Sequence, residues 1–423
     1  ISLMLEAKAA LGYLDVQDIL ALSARRVDPV GSNWSENGAE YWNGGGFYVN
    51  SDVGFGLIDA HAAVRIAESW NQQQTRANEV SLTGAVALTV PMVLTEGAAA
   101  SAVVQLSAAD AFKAQWVELS IDIAHQNIGD LSVVLVSPSG MRSVLIDQPA
   151  NGTASRDNLT FTLSSNQFWG ENPTGTWTIE ITDGGSASTG ALRSAELRVF
   201  GTESANDTYV FTDDFALLGR DAVVLTDASG NDTLNLAALS TAATIDLAPG
   251  HSQSIAGYSV QIDSTTWIER VVTGDGDDQV RGNDIANDIR AGRGDDTIYM
   301  TTGADSIAGG QGADTLVIDG EKAGYALRLA SSGIYEFCVL AAAESSAAPV
   351  IQHLTGIETL SFSDGALSIA DFLAESAARF PAIADTTGGS GGTGGNDGGN
   401  GTGDTDDQTD PPPAGPTTNI VIE

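Results

Sequence analysis

The sequence predicts a mainly β, multidomain protein, and three observations carry that expectation. Residues 273–317 repeat every nine positions without a gap. Residues 80–202 alternate apolar and polar side chains with the period of a strand, and helical periodicity is found in the first 70 residues and in one short stretch near residue 371. The expected order is a short α segment (1–70), a β-sandwich of jelly-roll type (80–202), a parallel β-roll with a cap (203–370), and a short helix running into a disordered Gly-rich tail (371–423).

Composition narrows the function before any motif is read. A chain of 423 residues accommodates two to four domains. Its 55 acidic and 18 basic residues give a formal charge of −37, which repels nucleic acid and anionic membranes alike. Cys338 is the single cysteine, so no internal disulfide forms. The longest apolar candidate for a membrane span, Leu82 to Leu94, is short and contains Gly84 and Pro91. The chain begins with Ile1 inside a helical pattern and reads as a piece of something longer.

Ile1 to Ala10 reads as the end of a helix, and Asp15 to Arg26 as a second one with Val16, Ile19, Leu20 and Ala24 on one face. A polar loop rich in Gly, Asn and Trp leads to VGFGLIDAHAAVRIAESW, a tight turn into a third helix. Such a segment cannot bury a core alone and is expected to pack on a neighbour. The strings LMLEA, LDVQDILALSARRVDP, NGAEYW and VGFGLIDAHAAV resemble the last part of a subtilisin-like serine protease domain of the kexin branch. In that family the segment follows the helix bearing the nucleophilic serine. The motif Gly-Thr-Ser-x-Ala-x-Pro does not occur here, and Gly201-Thr202-Glu203-Ser204 does not replace it. The resemblance therefore brings a structural role, a remnant of an α/β catalytic domain, and no catalytic residue.

The four histidines read the same way. His61 is expected to be an ordinary helix-face residue. His125, His251 and His353 are scattered and form no H-E-x-x-H zinc motif. Gly388 to Gly392 matches G-x-S-x-G formally, but it lies in a low-complexity tail with neither strand nor helix around it.

Between 80 and 202, WVELSIDI turns Val117, Leu119, Ile121 and Ile123 to one face. LSVVLV runs through Pro138-Ser139-Gly140 into MRSVLI, a hairpin signal, and WTIEITDG places Trp177, Ile179 and Ile181 inward. Short strands with Gly, Pro and Asp turns argue for a sandwich. The ordered strings GDL, SPSG, WGENPTGTWTIEITD, TGAL and the closing GT resemble the P domain, or Homo B domain, that follows kexin-like catalytic domains. That resemblance implies packing on the catalytic domain. Asp130, Asp157 and Asp183 at strand ends are calcium candidates, though turn capping is the preferred reading.

Cut every nine residues, 273–317 reads TGDGDDQVR, GNDIANDIR, AGRGDDTIY, MTTGADSIA and GGQGADTLV. This is the G-G-x-G-x-D-x-U-x pattern of a calcium-binding parallel β-helix. Glycine supplies turns with φ > 0, the sixth-position carboxylate supplies the hard oxygen calcium prefers, and the eighth residue is the single inward side chain. Units one, three and five are expected to stack on one edge, placing Asp278, Asp296 and Asp314 in register. Units two and four fall on the other edge with Asn287 and Asp305. The candidate metal residues are Gly274, Asp275, Gly276, Asp278, Gly292, Gly294, Asp296, Asp305, Gly310, Gly312 and Asp314, giving two good sites on the first edge and a poor one or none on the second.

Partial repeats at Asp207 and Asp232, and the closing LTGIETLSFSDGALSIADFL, make 203–370 similar to the β-roll region of serralysin-type secreted proteases. That resemblance implies type I export of the kind Gram-negative bacteria use. Tyr325–Leu329 and Ile334–Leu340 read as strands of a cap, with Cys338 in its core.

Together these readings give the C-terminal portion of a secreted, extracellular, calcium-dependent subtilisin/kexin-like serine endopeptidase, without its triad and inert alone. Its partners would be calcium ions and, through the absent catalytic part, protein substrates. The alternative is a non-enzymatic, calcium-stabilised adhesin or surface protein.

Overall fold

The helix predicted for Asp15 to Arg26 ends earlier than its apolar pattern suggests. The computed structural model, which describes residues 1–27, 33–107, 112–149, 158–185, 189–203, 206–220, 223–227, 229–340 and 350–379, has α1 at Ser2–Ala7, α2 at Tyr13–Leu22 and α3 at Ala60–Ser69. Ala24 and Arg25 leave the helix to pair with Ile58 and Leu57, so the basic end of the predicted helix is an extended edge. Asp59 caps α3 by accepting from the backbone N–H groups of His61 and Ala62.

The sandwich forms from strict alternation. One sheet orders strands 142–147, 131–136, 175–183 and 99–106. The other orders 159–165, 112–125, 190–203 and 79–85, and strand 92–94 also pairs with 190–203. All pairings are antiparallel. Val117, Leu119, Ile121 and Ile123 face Leu131, Val133, Trp177, Ile179 and Ile181 in one buried core. Met4, Ile19, Ile66 and Trp70 of the helical segment belong to that same core, so residues 1–70 find their packing partner on the sandwich.

Beyond residue 206 the chain winds into a coil with two parallel faces. On one face Arg270, Asp288, Ser306 and His353 stand in register; on the other Gln279, Thr297, Thr315 and Thr359 do. Val280, Ile289, Ile298, Ile307 and Leu316, each the eighth residue of its unit, point inward and are at most 1% exposed. Strands 325–329 and 335–339 close one sheet antiparallel, with Cys338 fully buried, and strand 365–368 closes the other. Helix Ile369–Ser376 lays Phe372 against Phe337 and Phe362 in the second hydrophobic core. None of the described helices is long and apolar enough to cross a membrane.

The first coil is not free. The loop at residues 41–43 extends its edge: Val210 N–H donates to Tyr41 O and Asn43 N–H to Val210 O, each at 2.8 Å. Thr212 N–H donates to Asn43 Oδ1, and Asn43 Nδ2 donates to Thr212 Oγ1. Helix α3 packs alongside, with Asn235 Nδ2 donating to Ser69 Oγ at 2.9 Å. The described residues up to 379 thus belong to one compact unit, while residues 380–423 of the predicted tail segment lie outside the described residues.

Candidate metal ladder and its surroundings

The four sixth-position aspartates in the coil do a job that the repeat pattern did not announce: each accepts the backbone N–H of the residue one coil below. On the first edge, Asp278 Oδ1 takes Ala243 N–H at 2.6 Å, Asp296 Oδ1 takes Asp278 N–H at 2.8 Å, and Asp314 Oδ1 takes Asp296 N–H at 2.9 Å. On the second edge, Asp305 Oδ1 takes Asn287 N–H at 2.9 Å. One carboxylate oxygen per rung is therefore structural, and the metal question concerns the other.

Those second oxygens differ. Asp278 Oδ2 accepts from Gly274 N–H at 3.2 Å within its own turn, and Asp305 Oδ2 from Thr301 Oγ1 at 3.0 Å. Asn287 Oδ1 takes Asn283 N–H, and its amide donates to Ile268 O, so this residue is a structural amide. Asp296 Oδ2 and Asp314 Oδ2 are buried with no hydrogen-bond partner. A buried carboxylate oxygen left bare is costly. Burial, reinforced by the stacked carboxylates of Asp278 and Asp314, pushes Asp296 up to about 7. Burial likewise raises Asp278 to about 6, and Asp314 rises for the same first reason. A divalent cation would remove both penalties, and carboxylate oxygens are the hard donors calcium takes.

The glycines make the stack possible. Gly292 (φ +94°) and Gly310 (φ +113°) are left-handed, and an added Cβ would lie 2.4 Å from Gly274 O and 2.1 Å from Gly292 O respectively. Gly294 and Gly312 stack in the same way on Gly276 and Gly294. Gly274 and Gly276 do not adopt positive φ; they are glycine because the backbone at Leu239 and Ala242 comes too close for any side chain. Among the described residues no group of three or more His, Cys, Asp or Glu side chains converges as a metal cluster.

The first turn meets another part of the chain. Arg65 of α3, 8% exposed, places Nε 3.0 Å from Asp275 Oδ1 in an ion pair whose N–H is not aimed at the oxygen, and its Nη2 donates to Gly274 O at 3.4 Å. His61 Nε2 stands 3.2 Å from Asp275 Oδ2. His61 is therefore more than a helix-face residue, because it helps seat α3 on the coil. This contact spans two sequence segments that carry no shared pattern, so periodicity could not find it.

The strand-end aspartates of the sandwich are placed differently. Asp183 is fully buried with His125, Oδ2 to Nε2 at 3.0 Å, and its Oδ1 accepts from Gly185 N–H. Asn127 N–H donates to His125 Nδ1, which leaves the imidazole proton on Nε2 for Asp183. Asp130 Oδ2 accepts from Asn127 Nδ2. Asp157 lies outside the described residues.

Replacing Asp296 by Ala is expected to weaken calcium binding on the order of tenfold or more, since ligand charge count sets affinity in such sites. Replacing Asn287 by Ala, on the other edge, should change it far less. Calcium titrations of the two variants check this, and equal losses would reject the assignment of sites to the first edge.

Comparison with known proteins places the sandwich. Residues 114–199 match the family model described as the proprotein convertase P-domain. The chain is 29% identical over 193 residues to the PC3-like endoprotease variant B of Hydra vulgaris, covering 43% of this chain and 25% of that protein. It is 32% identical over 185 residues to the human proprotein convertase subtilisin/kexin type 6, covering 43% and 18%. It is 30% identical over 212 residues to the Aeromonas extracellular serine protease of Aeromonas sobria, covering 43% and 33%. The chain thus spans between about a fifth and a third of the length of these relatives. The family-model match at residues 114–199 falls within the sandwich, whose described strands lie between 79 and 203.

Proposed function

We propose that this chain is the C-terminal portion of a secreted, calcium-dependent serine endopeptidase of the subtilisin/kexin type. The observation that carries this reading is the P-domain match at residues 114–199, in a sandwich that shares its core with helices α1 to α3. Those helices are then the end of the catalytic domain, and the P domain braces it. An upstream Asp-His-Ser triad would form the acyl-enzyme on peptide bonds.

The histidines support placing that triad outside these residues. The His125–Asp183 couple is buried, and its other ring nitrogen is occupied by a backbone N–H, so it has no free base to offer a serine. His251 pairs with Asp246 and His61 faces Asp275.

The coil is read as a serralysin-like calcium roll. Asp296 and Asp314 would hold the metal through their second oxygens, with turn carbonyls completing the shell. Calcium would supply the positive charge that lets stacked carboxylates close. Cells keep free calcium low, so the coil would stay open inside and close outside, consistent with a relative named as extracellular.

The test is direct. The purified 423-residue chain should neither hydrolyse peptides nor react with a serine-directed phosphonate. The longer gene product should react, and its coding sequence should carry Gly-Thr-Ser-x-Ala-x-Pro ahead of residue 1. Labelling of the chain itself, or an upstream region without that motif, would overturn the reading.

A further inference from the structure

We infer that the coil carries one more calcium site than its repeats encode, closed from above by Glu358 and Gly356 of the cap. The inference rests on the calcium reading of the coil and extends it to residues outside every nonapeptide.

Residues 354–361 complete a further coil on the first edge. Thr359, Leu360 and Ser361 pair in parallel with Thr315, Leu316 and Val317, continuing the register of the units below. Glu358 takes the next rung: its Oε2 accepts Asp314 N–H at 2.8 Å, as Asp314 accepts Asp296 N–H and Asp296 accepts Asp278 N–H. The backbone follows suit, with Glu358 N–H and Thr359 N–H both donating to Asp314 O. Gly356 (φ +56°) stacks over Gly310, completing a turn on the turn of unit five.

A stacked acidic residue is not by itself a site. The independent observation is Asp314 Oδ2, which has no partner on a residue that is 0% exposed. A Cβ built on Gly309 would sit 2.4 Å from that oxygen and 2.0 Å from Gly356 O. The bare carboxylate oxygen and the carbonyl of the cap therefore lie close together against the Gly309 backbone, where a side chain would collide with both. Units one and three carry Thr273 and Ala291 at the corresponding first position, so a glycine there is particular to unit five on this edge. Glu358 and Gly356 are exposed, and water can complete the shell.

The contrast with the bottom of the ladder is instructive. There Asp278 Oδ2 is already bonded, and Arg65 brings a fixed cation to Asp275 and Gly274 O. Bare oxygens begin at Asp296 and continue through Asp314, so the metal-ready part of the edge is displaced toward the cap.

Equilibrium dialysis on the full chain at saturating calcium tests this. Glu358→Gln keeps an oxygen for Asp314 N–H but removes the charge. Gly309→Ala adds the methyl that unit three carries at Ala291, which would collide with Asp314 Oδ2 and Gly356 O and push them apart without altering a charge. Each is expected to bind one calcium ion fewer than the unaltered chain, while Glu358→Asp, the residue type of the lower rungs, keeps the full count. Unchanged stoichiometry in Glu358→Gln and Gly309→Ala would overturn the extra site and leave the calcium reading standing. An unaltered chain that binds no calcium would overturn both.

Discussion

In a calcium chelator the coil at residues 273–317 is expected to lose its β-structure together with the cap stacked on it, and to regain both at roughly 0.1–1 mM calcium, the range of extracellular modules. Each nonapeptide orders nine residues around one inward aliphatic side chain, among them Val280, Ile289, Ile298, Ile307 and Leu316. The entropy of fixing nine backbones, several of them glycine, exceeds what one buried aliphatic returns. Stacking also brings Asp278, Asp296 and Asp314 into register, where the outer two raise the cost of ionising Asp296 between them. Without a cation the stack combines weak burial with mutual repulsion; with one, binding free energy becomes folding free energy. The sandwich has a core independent of metal and should survive the chelator. Far-UV circular dichroism during a calcium titration reads the transition, and a spectrum indifferent to chelation would reject metal-coupled folding.

The sequence carried the architecture because architecture is periodic. A nine-residue period with one apolar position can satisfy its backbone only by stacking, and period-two runs such as Val117 to Ile123 need a facing sheet. What stayed hidden were contacts between segments with different periods. Asp314 meets Glu358 across 44 positions, where the repeat spacing is 18. Arg65 reaches Asp275 from a helix that looked merely amphipathic. The second oxygens of the ladder were equally opaque. Asp278 and Asp296 occupy equivalent places in their units, yet one is satisfied by Gly274 N–H and the other is bare. That difference depends on fractions of an ångström in the turn, and a motif records residue types only.

Position Asp18 carries the second large expectation, and it too arises between segments. Helix α2 turns Asp15 and Asp18 inward at i, i+3 spacing, toward strand 112–125 and the turn around Trp169. Asp15 is well satisfied, accepting from Gly12 N–H, Trp70 Nε1 and Gln74 N–H. Asp18 has Trp169 Nε1 on Oδ1 at 2.5 Å and a long contact from Gln115 Nε2 on Oδ2 at 3.4 Å. Burial, with Asp15 as an unfavourable neighbour, pushes Asp18 up to about 7.

The folded state therefore holds a proton that the unfolded chain releases near pH 4. Between about pH 4 and 7 the native state binds more protons, so stability from this site falls as pH rises. Asp18→Asn keeps an acceptor for Trp169 and cannot ionise. Relative to the unaltered chain it should be neutral near pH 4 and increasingly stabilising up to pH 8, by at most about 4 kcal/mol. Urea unfolding of both proteins across this range, at fixed saturating calcium, isolates the effect because the ladder carboxylates contribute equally to each. A constant difference between them at all pH values would mean that Asp18 is ionised in the fold, held by its hydrogen bonds rather than neutralised by burial.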